Sequence, residues 1–191
     1  MAKPGNVTKF YPEAFKPFPR AFPITDCTAI YVHKPSVAEA QALIYSSYKS
    51  HNTSKYLCPS LSAGIVSFVS KGYGGVSSDR FIFSDSGVIS KFSSNSACMV
   101  DCGFNVQGFL LTKQVKLYMP PFTKGQEQLT KVNVLQGWAI AKARIHVERA
   151  IQHLKRFRLF QSVVPLTLKD TLDDMVIVCA ALTNLPPPLI G

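Results

Sequence analysis

A mixed β-sheet with helices packed on its faces is the fold class that this chain predicts. Three observations lead there. Short β-branched, apolar runs come first, at 24–32, 55–61 and 64–70. Another such run, 97–101, lies between helical stretches. A long proline-free helical stretch, about 130–157, then closes the series. The 191 residues suit a single domain of ordinary size, and a hydrophobic content of 47% supplies a core.

Each element has its own signal. Residues 1–23 alternate proline with aromatics (Tyr11, Pro12, Phe15, Pro17, Phe18, Pro19, Phe22, Pro23). This predicts an extended lead-in that packs against the domain without a helix. Ile24–Val32 is a β-type run around Asp26. Ser36–Tyr48 reads as helix or loop, with Ser36 as N-cap and Glu39 three residues on. Lys55–Leu61 and Gly64–Ser70 are predicted as short strands joined by Ser62-Ala63-Gly64. Lys71–Val76 is a glycine-rich loop. Its Gly72, Gly74 and Gly75 fit no nucleotide fingerprint and suit close backbone approach instead. Ser78 or Asp79 caps a helix to about Ser90. Ala97–Asp101 is a strand ended by Gly103, and Val115–Met119 is another, stopped by Pro120-Pro121.

In the long helix, Leu135, Trp138, Ala141, Ile145, Ile151 and Leu154 fall at helical spacing and are the predicted buried face. Lys142, Arg149 and Arg156 recur every seven residues as a basic ridge, read either as a phosphate grip or as a solvated face. A last helix, about Leu168–Leu185, carries Asp170, Asp173 and Asp174 in its first turns, where acids suit the helix dipole.

The chain has 21 Lys+Arg against 11 Asp+Glu, a formal net charge of +10, which favours a polyanionic partner. Its five cysteines form no CxxC pair and sit mostly in apolar runs, the pattern of reduced thiols rather than of zinc ligands. No signal peptide opens the sequence and no window has membrane-spanning length.

Against this basic background three acids stand out: Asp26 in ITDCTAIYV, Asp101 in ACMVDCGF and Glu148 in RIHVERAI. Brought together, three carboxylates make a hard-oxygen site for Mg²⁺ or Mn²⁺. Two such ions serve phosphodiester cleavage, one activating the attacking oxygen and one stabilising the leaving oxygen. Asp26, central in the sheet, is expected to bridge the metals, with Asp101 and Glu148 holding one each. The plainer role for Glu148 is a helix-surface pair with Arg144. His146 is two residues from Glu148, on another helix face, and reads as a structural or groove histidine.

The sequence also resembles the DDE endonuclease domain of PIF/Harbinger transposases and their domesticated relatives. The matching stretches are DCT at 26–28, YKSHNTSKY at 48–56, SKGYGGVSSDR at 70–80, DCGF at 101–104, PPFTKGQEQL at 120–129, RIHVERAI at 144–151 and CAALTNLPPPL at 179–189. The resemblance implies an RNase H-like mixed sheet with flanking helices, spanning residues 24–190 as the endonuclease domain. It also implies metal-dependent DNA cleavage, with Asp26, Asp101 and Glu148 as catalytic acids and metal ligands. Asp79, in the family-like GGVSSDR, is either an auxiliary acid or a helix cap. His51 and Asn52 are turn residues, contacts to DNA, or groups that orient a metal-bound water. By the same analogy the partners are DNA and a separate Myb-like recognition protein, and the location is the nucleus, with the cytoplasm as the alternative.

The chain departs from the family at Cys102, where an arginine is common, and at Ala29, where an acid is frequent. Only about 25 residues precede Asp26, against the helical recognition region usual in the family. These departures favour a rival expectation: a domesticated DNA-binding or scaffold protein that keeps the fold without turnover. Neither the target sequence nor the oligomeric state is specified.

Overall fold

The computed structural model describes residues 12–18, 21–101, 103–121 and 130–185, with seven strands and six α-helices among them. The fold is mixed α/β, with a parallel three-stranded sheet and an antiparallel four-stranded one. Cys102, most of the 120–129 stretch, the first eleven residues and the proline-rich tail after 185 lie outside the described residues.

The β-type run at 24–32 is two strands placed end to end, β1 (Ala21–Thr25) and β2 (Cys27–Tyr31), with Asp26 alone between them. Two further short strands, β3 (Tyr45–Ser46) and β4 (His51–Leu57), form a hairpin. A two-residue strand, β5 (Tyr73–Gly74), pairs with the same edge of β4 as β3 does. Strands β6 (Ala97–Val100) and β7 (Lys116–Tyr118) complete the set. β6 runs parallel beside β1, and β7 runs parallel beside β6. β4 runs antiparallel to β2. The β4 chain continues past Asp26 along β1: Cys58 N–H donates to Asp26 O at 2.9 Å, and Ile24 and Ser60 exchange both backbone bonds. The broken strand is therefore the axis of the sheet, parallel-paired on one side and antiparallel on the other.

Helices cover both faces. Helices α2 (Asp79–Asp85) and α3 (Gln107–Leu111) pack Ile82, Phe83 and Leu110 against Cys98 and Val100 of β6. The long helix α4 (Lys131–Lys155) lies on the opposite face. Its Ile140, Ala143 and Val147 meet Ile24 and Met99, with Phe15 and Phe18 of the lead-in closing over them. Further along, its Ala150 and Leu154 pack with α6 (Leu172–Thr183) over Ile30 and Tyr56. The alternation of Cys98 and Met99 between faces is the two-residue period of a strand buried on both sides.

Several expectations are corrected. The lead-in does pack on the domain, but Glu13–Phe15 forms one 3-10 turn where no helix was expected. Ser36 caps nothing: the short helix α1 (Ala38–Ile44) begins at Val37 without a side-chain cap. The predicted strand 55–61 is shifted to 51–57. The predicted strand 64–70 shrinks to a single antiparallel bridge, Val66 with Ser60, flanked by Leu61 N–H to Ile65 O and Ser67 N–H to Pro59 O. The backbone N–H and C=O of Val66 face the other way and bond the Asn184 side-chain amide at the end of α6. The helix expected to reach Ser90 stops at Asp85, since Gly87 turns left-handed (φ 74) and a 3-10 turn, Val88–Lys91, follows. The last helix becomes a 3-10 turn, Leu166–Thr171, before α6 proper. α3 and the one-turn helix α5 (Arg158–Gln161) were not foreseen. The predicted buried face of α4 is wrong at Leu135, Trp138, Ala141 and Ile145, which are exposed, and right at Leu154. The glycine expectation holds: a Cβ at Gly74 or Gly75 would collide with the carbonyl oxygens of Leu43 and Ile44 at the end of α1.

Candidate active site

Parallel register sets the two aspartates side by side. Thr25 of β1 pairs with Val100 of β6, so Asp26 and Asp101, the next residue on each chain, leave the sheet together. Adjacent strands lie roughly 4.8 Å apart. Asp26 sits at the gap between β1 and β2, where its carboxylate Oδ1 accepts the Cys27 N–H at 2.8 Å. Burial pushes the Asp26 carboxyl up to about 6; the Cys27 bond and the Arg144 charge oppose that shift, and the charges of Asp101 and Asp79 add to it.

α4 supplies the third acid. Ala143 and Val147 bury against the sheet, and this fixes the rotation of the helix. Their neighbours Arg144 and Glu148 then emerge at the rim above β6. Arg144 Nη1 donates to Asp101 Oδ1 at 2.9 Å, and Nη2 stands 3.8 Å from Glu148 Oε1. The guanidinium is nearly buried, its side chain 16% exposed, while Glu148 is 53% exposed. Asp101 and Glu148 thus meet at one arginine, whose charge also reaches Asp26.

Asp79 completes the surroundings. Ser78, not Asp79, caps α2 by accepting the Phe81 N–H. The Asp79 carboxylate is left to pair with Lys55 Nζ, which also donates to Ser77 O at 2.9 Å. Asp79 acts on Asp26 as a like charge, so it borders the site. Lys55 and the Asp101–Arg144 contact were missed by sequence reasoning. Lys55 carries a faint signal, since its strand pairs it with Ala29, three residues from Asp26. The Asp101–Arg144 pair spans 43 positions and has no local signature.

The other acids lie elsewhere. Asp173 accepts from Tyr56 Oη (2.8 Å) and Gly72 N–H (3.1 Å), tying α6 to β4 and the glycine loop. Asp170 and Asp174 are exposed. His146 is buried against Phe15, ring centroids 5.4 Å apart, and burial followed by the Arg149 charge holds its imidazole below the usual range. Lys142, Arg149 and Arg156 are all exposed and share one side of α4. His51 is exposed at the start of β4, stacked near Tyr31 with centroids 4.7 Å apart. The neighbouring Lys49 lies close enough to α4 for its charge to act on Lys155, whose ammonium is lowered first by burial and then by Lys49.

The donor chemistry fits a divalent cation: two strand-end aspartates and a helix glutamate offer hard oxygens. As arranged here Arg144 joins Asp101 to Glu148, and Asp26 feels it only as a nearby charge. Among the described residues no three His, Cys, Asp or Glu side chains stand close enough to share one ion. Among the described residues, no helix is long and apolar enough to cross a membrane.

A family model described as DDE superfamily endonuclease matches residues 25–184. No curated protein and no solved structure matches the chain.

Proposed function

Since the chain belongs to the DDE superfamily endonucleases, we propose that it is a divalent-metal-dependent DNA endonuclease of the Harbinger transposase type, with Asp26, Asp101 and Glu148 as its catalytic acids. The register that sets Asp26 beside Asp101, under a helix that presents Glu148, carries this reading. These three carboxylates would hold Mg²⁺ or Mn²⁺, which when bound activates an attacking water or hydroxyl and stabilises the leaving oxygen.

The chain's own residues do the rest. Strand ends and a sheet-packed helix give the carboxylates a rigid frame. Arg144 offsets their mutual repulsion. Asp79 is the auxiliary acid, held off Asp26 by Lys55. Lys142, Arg149, Arg156 and His51 take the phosphate backbone, on the surface where α4 and the β3–β4 hairpin adjoin. A nuclear location and a separate Myb-like recognition protein complete the proposal.

One observation favours the rival reading of an idle, DNA-binding protein: Arg144 already neutralises two of the three acids. Plasmid nicking in Mn²⁺ or Mg²⁺ decides. Cleavage by the wild type that is lost in Asp26→Ala, Asp101→Ala and Glu148→Ala, with cooperative melting retained, supports the nuclease. DNA binding without nicking in the wild type supports the rival.

A further inference from the structure

Arg144 is placed unlike an ordinary helix-surface arginine. An Arg–Glu pair four residues apart on an exposed helix is a weak, local contact. Here the stronger contact is not the local one. The 2.9 Å bond crosses from α4 to Asp101 at the end of β6, while Glu148, one turn away, is at 3.8 Å. The guanidinium is enclosed: Ala143 beside it is fully buried, and its own side chain is 16% exposed. It carries donors only and cannot lose its charge. It therefore stands as a cation between two carboxylates, Asp101 and Glu148, with its charge also acting on Asp26.

From this geometry we infer that Arg144 is the site's resident counter-ion, holding Asp101 and Glu148 in place until a divalent cation displaces its guanidinium from them. The inference rests on the metal-binding reading of the three acids and adds a positioning residue to it. Arg144 and the metal compete for the same carboxylate oxygens. A unit positive charge a few ångströms from a dication opposes its binding even in a watery dielectric. Removing that charge should tighten metal binding. An arginine that merely braced the ligands would do the reverse, because its loss would leave them disordered.

The sign of the effect is therefore the test. Mn²⁺ is titrated calorimetrically into the metal-free full chain, as wild type, Arg144→Gln and Arg144→Lys, with thermal melts of each in EDTA and in Mn²⁺. The expected result is Mn²⁺ affinity on the order of tenfold tighter in Arg144→Gln, with Arg144→Lys in between because a lysine cannot fork to two carboxylates. In EDTA, Arg144→Gln should melt below wild type, and Mn²⁺ should raise its midpoint by more than it raises the wild type's. Binding by Arg144→Gln where the wild type is silent would also support the inference, as an unblocked site. Wild-type binding that Arg144→Gln leaves unchanged or weakens overturns it while the metal site stands. If Arg144→Gln does not fold, Arg144→Lys decides on the same criterion. Silence in all three proteins overturns the metal site itself, and this inference with it.

Discussion

Asp26 should cost the metal-free protein stability at neutral pH, and Asp26→Asn should remove that cost. Burial raises the folded carboxyl to about 6, against an ordinary value of 3.8. In the unfolded chain Asp26 ionises freely near pH 4; in the folded chain it keeps its proton for about 2 further units. Between those values the folded state binds more protons, so wild-type stability falls as pH rises from about 4 to about 6 and then levels. At 1.36 kcal/mol per unit the loss is about 3 kcal/mol. Asparagine is neutral throughout and keeps an oxygen to accept the Cys27 N–H. Asp26→Asn should therefore be about 3 kcal/mol more stable than wild type at pH 7.5, with the gain shrinking to near zero by pH 4. Urea unfolding in EDTA at pH 4.5, 5.5 and 7.5 measures the difference, from which the other carboxylates largely cancel. A gain that does not vary with pH, or a loss at pH 7.5, would refute the claim that Asp26 is a buried charge without adequate compensation.

Two further outcomes follow from the same geometry. Replacing Lys142, Arg149 and Arg156 singly by alanine should each lower the salt dependence of DNA binding, by about 0.9 in the slope of log K against log salt. Unaltered slopes would move the contact surface off α4. Gly74→Ala, which sets a Cβ against the Leu43 carbonyl oxygen, should cost about 3 kcal/mol in chemical denaturation. A near-neutral result would show that α1 packs less closely on β5 than it does here.

The site was legible where chemistry leaves a local trace. Asp101 ends a β-type run and Asp26 lies within another, and the order of strands and helices implied a mixed sheet; that the second run breaks at Asp26 was not legible. What the sequence could not carry was partnership over distance. No pattern announces that Thr25 pairs with Val100, or that Arg144 reaches Asp101, because both contacts arise only once β6 lies beside β1. Asp173 shows the converse. It reads as a helix-dipole acid, and it does sit in the first turn of α6, yet its carboxylate is engaged by Tyr56 and Gly72 far along the chain. Gly64–Ser70 looked like a strand because its residues are apolar. It pairs with 59–61 only at the Val66–Ser60 bridge, and on its outer edge the Asn184 side chain, not a further strand, takes both backbone groups of Val66.

α4 shows most clearly why periodicity alone is not enough. Two stripes on this helix satisfy helical spacing: Leu135, Trp138, Ala141 and Ile145 on one, Ile140, Ala143, Val147, Ala150 and Leu154 on the other. The first carries the bulkier side chains, and it is the exposed one, with Trp138 70% and Leu135 60% accessible. The second wins because Ala143 and Ala150 are small and let the helix settle close to the sheet, with Ile140 and Val147 filling the space between; a tryptophan on that face would hold the helix off. That rotation is also what turns Arg144 and Glu148 toward Asp101, so the packing choice and the site are one event. Ile140→Ala should then cost about 2–4 kcal/mol, while Trp138→Ala should stay within about 0.5 kcal/mol of wild type. Trp138 is the only tryptophan of the chain, so its emission should be that of a solvated indole, readily quenched by acrylamide. A blue-shifted, protected emission in dilute protein, or a Trp138→Ala cost above that of Ile140→Ala, would mean that α4 is turned the other way, and Glu148 would then face away from Asp101.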